Sequence, residues 1–233
     1  MASSALTLTL LRHGETDYNS LGIVQGQGVN GPLNQTGYAQ AAGVGRMMRL
    51  SAVDIASVSY SDQVRTQESA AGFIRGYHGL PCSDDDRSIP ALEQADIYSS
   101  LRERAKGAQE GRLNNLSLGE AENLDAEENR PPRLWESQED VCKRLRVFMA
   151  EFLSKNKEGH HLVVTHGGCV RIFVRDIFQL AGDNPVKVYN SSTTTVSILV
   201  KNDEPTFENA TLLSDIGDLK YIPPELVTTR SDH

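Results

Sequence analysis

Near the start of the chain, Leu6, Leu8 and Leu10 alternate with Thr7 and Thr9, the two-residue period of a strand. The apolar stretch from Ala5 to Leu11 lacks a basic flank and a small-residue cleavage site, so a strand rather than a signal peptide is expected. A Gly-rich, loop-like stretch from Gly14 to Gly37 follows, and loops of this length usually carry function. Asn34 reads as the N-cap of a helix reaching about Leu50, although Gly43 and Gly45 weaken it. Ile55 to Tyr60 is a strand, and Ser61 and Asp62 read as the cap of a helix to about Gly76. The segment from 82 to 136 is polar and reads as an irregular, lid-like insertion. It carries five acids between Glu120 and Glu128 with no base among them, a pattern that faces water.

Regular pattern returns at Ser137, which with Asp140 forms a capping box ahead of Val141, Leu145, Phe148, Met149 and Phe152 on one helical face. His161 to Thr165 reads as a buried parallel strand, Gly168 to Leu180 as its following helix, and Thr194 to Val200 as the last clear strand. The tail from about Asp215 is expected to be poorly ordered. No repeat or linker divides residues 1–233, and the alternation of strands and helices predicts a single α/β domain with a mostly parallel sheet.

Composition narrows the function. A chain of 233 residues can bury roughly 70–75% of the surface of its unfolded form. With 31 acidic residues against 23 Lys and Arg, the net charge of −8 argues against nucleic acid as a partner. Cys82, Cys142 and Cys169 form no CxxC pattern, so neither a disulfide framework nor a zinc site is expected, and a reducing cytoplasm fits. No apolar run approaches the ~18 residues of a membrane span, so no membrane partner is expected.

The chemistry gathers at strand ends. Leu11 runs into Arg12-His13-Gly14-Glu15-Thr16, and Thr165 runs into His166-Gly167-Gly168. Ligands of open α/β sheets bind beyond the carboxyl ends of strands, which would bring both histidines to one edge. Glycine after each histidine permits close backbone approach and exposes N–H donors suited to anions. Arg65, in the first turn of its helix, joins Arg12 as a second guanidinium fork, and two forks match a tetrahedral phosphate. An acidic chain would then enclose a cationic pocket. Residues Gly22 to Gly28, with Gln25, are expected to wrap its mouth, with help from Ser61. Cys169 is expected to pack and Trp135 to plug the lid; no second cationic cluster is plain.

Five motifs stand in order: Arg12-His13-Gly14-Glu15-Thr16 with Asn19; Gln25-Gly26-Gln27-Gly28 with Pro32-Leu33; Ser61-Asp62 with Arg65-Thr66; Leu101-Arg102-Glu103 with Gly107 and Glu110-Gly111; and Val164-Thr165-His166-Gly167-Gly168. Over residues 6 to 200 the chain resembles the histidine phosphatase (phosphoglycerate mutase-like) superfamily. The resemblance implies a three-layer α/β/α sandwich and hydrolysis of a small phosphorylated metabolite through a phosphohistidine, with no metal and no cofactor. It implies His13, Glu103, His166, Arg12 and Arg65 as catalytic residues. Arg12, Asn19, Gln25, Gly26, Arg65, Glu103, His166 and Gly167 would bind the phosphate, and Asn190 matches a polar family position. The pattern is most similar to the fructose-2,6-bisphosphatases, which implies release of fructose-6-phosphate and a role in glycolysis. It departs from them at PPRLWES, which lacks glycines beside Glu136, and in the short segment from Lys155 to His160.

For His13 to attack phosphorus, its second ring nitrogen should donate to a carbonyl that fixes the tautomer. Arg12, Arg65 and His166 would hold the nonbridging oxygens, and Asn19 would add a neutral donor. The resemblance assigns protonation of the leaving oxygen to Glu103, whose pKa a neighbouring dianionic phosphate would raise. Three alternatives remain: a phosphoglycerate mutase, which the acidic 120–128 segment would disfavour if it overlies the site; a broad-specificity phosphomonoesterase; and an inactive phosphatase fold serving interactions. Oligomeric state is not legible.

Overall fold

The computed structural model describes residues 4–82, 87–88, 95–180, 187–201 and 204–211. A six-stranded sheet has the order β3-β2-β4-β1-β5-β6, built from β1 (Ser4–Arg12), β2 (Ile55–Tyr60), β3 (Ala95–Ile97), β4 (Gly159–Thr165), β5 (Thr193–Lys201) and β6 (Glu204–Thr211). The pairs β3-β2, β2-β4 and β4-β1 are parallel, and β1-β5 and β5-β6 are antiparallel. The helices are α1 (Asp17–Leu21), α2 (Gln35–Leu50), α3 (Val64–His78), α4 (Leu118–Glu127), α5 (Gln138–Lys155) and α6 (Gly167–Ile172).

The sheet is buried on both faces. Leu6, Leu8 and Leu10 of β1 pack with Leu145, Phe148 and Phe152 of α5 and with Val170 of α6. Leu11 of β1 and Leu162 and Val164 of β4 turn the other way, toward Val44 of α2 and Phe73 and Ile74 of α3. The three-layer α/β/α sandwich is therefore present. Asn34 caps α2 by accepting from Gly37 N, and the Ser137–Asp140 capping box opens α5.

Several expectations need correction. The Gly-rich stretch contains α1, capped by Thr16. Gln63, not Ser61 or Asp62, is the N-cap of α3, without a side-chain cap bond; the helix runs to His78, where Gly79 takes the left-handed conformation. The insertion is not irregular throughout: the acidic run folds as α4 because Ser117 and Glu120 form a reciprocal capping box. After α6 the helix widens into a π turn over Phe173–Ile177. That widening carries Phe178 back over Phe173, their rings stacked at 5.6 Å. The strand at Thr193–Lys201 is not the last, since β6 pairs with it; a polar sequence containing Pro205 suits the sheet edge and hides it from a periodicity reading. The tail from Asp215 and residues 83–86 and 89–94 of the insertion lie outside the described residues.

Candidate functional site

Register places the two histidines. Arg12 is paired with Thr165 across the parallel β1-β4 ladder, so the next residue on each strand is a histidine leaving the same sheet edge. His13 N donates to Thr165 O at 2.9 Å, and the rings of His13 and His166 meet edge to face with centroids 5.3 Å apart. The neighbouring strand β2 ends level with them, Ser61 N donating to Val164 O, and delivers Arg65 from the first turn of α3. The segment after β3 crosses these ends, where Thr165 Oγ1 donates to Leu101 O at 2.9 Å and sets Glu103 over the same spot.

A cleft of about 700 Å³ opens there. Of the residues expected in the site, His13, Asn19, Gln25, Gly26, Arg65 and Glu103 line it. Arg12, His166 and Gly167 stand behind that wall: Arg12 and His166 are fully buried, and Gly167 packs against the Arg12 side chain.

The hydrogen bonds fix the state of each imidazole. His13 Nδ1 and Gly14 O are 2.7 Å apart, and a carbonyl can only accept, so Nδ1 carries the proton and Nε2 keeps its lone pair. Burial, then the charges of Arg65 and Arg12, hold the His13 pKa well below the ordinary histidine value, outweighing the Gly14 hydrogen bond. His166 Nδ1 accepts from Arg65 Nε at 3.2 Å, so the neutral ring bears its proton on Nε2, a buried atom with no partner among the described residues. Burial, Arg65, His13, Arg144 and Arg12 push its pKa well down too. Arg65 is pulled down to about 10, chiefly by burial, and remains a cation at neutral pH. Its Nη2 donates to Gly26 O at 2.9 Å and to Gln63 Oε1 at 3.1 Å.

Asn19 Oδ1 is occupied by Thr16 N, Thr16 Oγ1 and Asn190 Nδ2, which leaves its own amide N–H groups as donors for the cleft. Asn190 Nδ2 also reaches His13 O and Gly14 O, each at 3.2 Å, pinning the turn that carries His13. Gln25 Nε2 donates to Thr16 Oγ1, while its buried Oε1 has no partner among the described residues. Ser61 supports the site only from below, its hydroxyl accepting from Gln63 N at 3.4 Å. Glu103 Oε2 accepts from Gly168 N and Oε1 from Arg104 N. A Cβ at Gly168 would overlap the Glu103 carboxylate, which explains a second glycine after His166.

Other features were hidden from the sequence. Glu110, 2% exposed, accepts from Gln27 N, Gly28 N and Lys106 N and so ties the mouth loop to the insertion. Arg104, Lys106, Arg171 and Arg175 line the outer cleft, a second cationic group drawn from two distant segments. Leu21 and Leu113 form part of the rim beside it, 63% and 54% exposed. Trp135 plugs nothing: it is 45% exposed, with the Arg104 guanidinium 5.1 Å from its ring centre. The acids of α4 do not line the cleft, and Asp125 pairs instead with Arg112 and Arg133, so they supply no argument against a mutase. Cys169 is buried as expected, its thiol pushed up to about 12 mainly by burial. Among the described residues no three His, Cys, Asp or Glu side chains are grouped to hold a metal ion, and no helix is long and apolar enough to cross a membrane.

The sequence profile of the histidine phosphatase superfamily (branch 1) matches residues 8–211. Fructose-2,6-bisphosphatase TIGAR of Xenopus tropicalis is 31% identical over 234 residues, which cover 96% of this chain and 80% of that protein. Mouse (Mus musculus) fructose-2,6-bisphosphatase TIGAR is 39% identical over 106 residues, 45% of this chain and only 35% of the mouse protein. Among solved structures, Bacillus stearothermophilus YhfR superposes with a TM-score of 0.66 at 23% identity, covering 92% of this chain and 99% of the other, a likeness of fold.

Proposed function

Since the chain belongs to the histidine phosphatase superfamily, we propose that it hydrolyses a small phosphate monoester through a phosphohistidine on His13, with fructose-2,6-bisphosphate as the substrate. The observation that carries the chemistry is His13 itself: neutral, with Nδ1 held by Gly14 O and its lone pair on Nε2, beside Arg65 on the cleft wall. In this reading Nε2 attacks phosphorus in line and the bond from phosphorus to the sugar oxygen breaks. Glu103 passes that oxygen a proton, and then takes one from the water that cleaves the P–N bond and releases phosphate. Arg65, Asn19 and the Nε2–H of His166 hold the nonbridging oxygens, and Arg12 balances their charge from behind. Gln25 and Gly26 shape the mouth, and Gly167 keeps Arg12 in place.

Arg104, Lys106, Arg171 and Arg175 support a substrate with a second anionic group, as a bisphosphate has. The apolar rim at Leu21 and Leu113 favours a second reading, a broad-specificity phosphomonoesterase. A hydrolysis panel of fructose-2,6-bisphosphate, 2,3-bisphosphoglycerate and p-nitrophenyl phosphate separates the two, since the first reading expects kcat/KM for the sugar bisphosphate to lead by about a hundredfold. Labelled 3-phosphoglycerate that emerges as its isomer rather than as free phosphate makes the chain a mutase. His13→Gln should lose turnover and acid-labile phosphoprotein together, and turnover that survives in that variant would refute attack by His13.

A further inference from the structure

Gln63 belongs to none of the roles above, yet its side chain meets three walls of the cleft. It is 3% exposed at the junction of β2 and α3. Its Oε1 accepts from Arg65 Nη2 at 3.1 Å and from Glu103 N at 2.9 Å, and its Nε2 donates to Gly26 O at 3.0 Å. A guanidinium and a backbone N–H can only donate and a carbonyl can only accept, so the amide has one orientation and every bond is matched.

From this we infer that Gln63 is a positioning residue that sets the spacing between the acid Glu103 and the phosphate-facing Arg65, with the Gly26 loop held to both; the inference rests on the phosphatase reading. Among the described residues no other side-chain bond joins Arg65 to the backbone of Glu103, so Gln63 couples the group that meets the leaving oxygen to one that meets the phosphate. Losing the amide strands the Glu103 N–H in a part-buried place and leaves the Glu103 backbone held on one side only, by the bond from Arg144 Nη2 to Glu103 O. Gly26 O keeps its bond from Arg65 Nη2, so phosphate binding is spared more than proton delivery.

The consequence is a dependence on the leaving group. An alkoxide needs its proton during P–O cleavage, whereas p-nitrophenolate leaves without one. In the full chain, Gln63→Met, of similar length but without the amide, should lower kcat on glycerol 2-phosphate about tenfold or more and kcat on p-nitrophenyl phosphate less than about threefold. Equal losses on both esters, or no loss on either, would overturn the inference. Gln63→Glu keeps the acceptor for Arg65 and Glu103 N but loses the donor to Gly26 O, so any loss should fall on both esters alike and the ratio of the two rates should stay within about threefold of the parent's. A tenfold change in that ratio would count against the coupling even where Gln63→Met does not fold. A parent chain inactive on these two esters and also on fructose-2,6-bisphosphate and 2,3-bisphosphoglycerate would overturn the phosphatase reading and this inference with it, a result unlike a change confined to the variants.

Discussion

A buried imidazole that is held neutral ties the proposed chemistry to stability. His13 and His166 both have pKa values well below the unfolded value of 6.5, through burial and the cations around them. The unfolded chain therefore binds protons that the folded chain refuses. The contribution of the two groups is fully present above about pH 6.5 and is lost as pH falls toward their folded values, each by up to about 1.4 kcal/mol per pH unit. Urea midpoints should drop steeply from about pH 6.5 to about pH 5, and the fall should be clearly shallower in His13→Gln, since His166 and the half-buried His160, whose pKa burial also lowers, are the histidines left to drive it. The same slope in both proteins would mean that His13 is not held neutral. The sequence leads us to expect a carbonyl against the second ring nitrogen without saying which, and the fold supplies that of Gly14, the next residue along the chain.

Helices and strands were legible where burial imposes a period, and obscure where caps or pairing decide. β2 and the apolar face of α5 follow from their sequences because both sides or one stripe must leave water. α4 was obscure because its apolar positions are few and the Ser117–Glu120 box, not a core face, starts it. Gly45 looked like a fault in α2 and is a contact: a Cβ there would overlap Phe73 O of α3, as one at Gly76 would overlap Ala42 O. Propensity alone would make Gly45→Ala stabilising by about 1 kcal/mol, but forcing the packed helices apart costs about 1–3 kcal/mol. The net expectation is a loss of up to about 2 kcal/mol by urea unfolding. Gly119→Ala in α4, whose Cβ would meet nothing within 4 Å, should instead gain about half to one kcal/mol. If both changes moved stability the same way, backbone contact between α2 and α3 would not be the reason for Gly45.

At the scale of the molecule, three parallel strand ends supply Arg12 and His13, Arg65, and His166, and the insertion supplies Glu103. Motif order could forecast that convergence, because all three strands run the same way. The outer cations could not be forecast: Arg104 and Lys106 lie in the insertion, Arg171 and Arg175 on and just after α6, and only the fold makes them neighbours. A chain of net charge −8 thus gathers Arg104, Lys106 and Arg171 at one opening, with Arg175 beside them paired to Asp176. A multiply charged anion is repelled by the body of the protein and drawn to its cleft, and both effects fade as salt shortens their range to about 8 Å near 0.15 M ionic strength. Local attraction outlasts distant repulsion only at short range, so the outer cations should dominate for a substrate already at the mouth. Raising ionic strength from about 0.05 M to about 0.5 M should therefore lower kcat/KM for fructose-2,6-bisphosphate about tenfold, mostly through KM, and for p-nitrophenyl phosphate about threefold or less. Parallel salt profiles for the two esters would mean that the second phosphate does not meet the outer cations, and would move the substrate assignment toward simple monoesters.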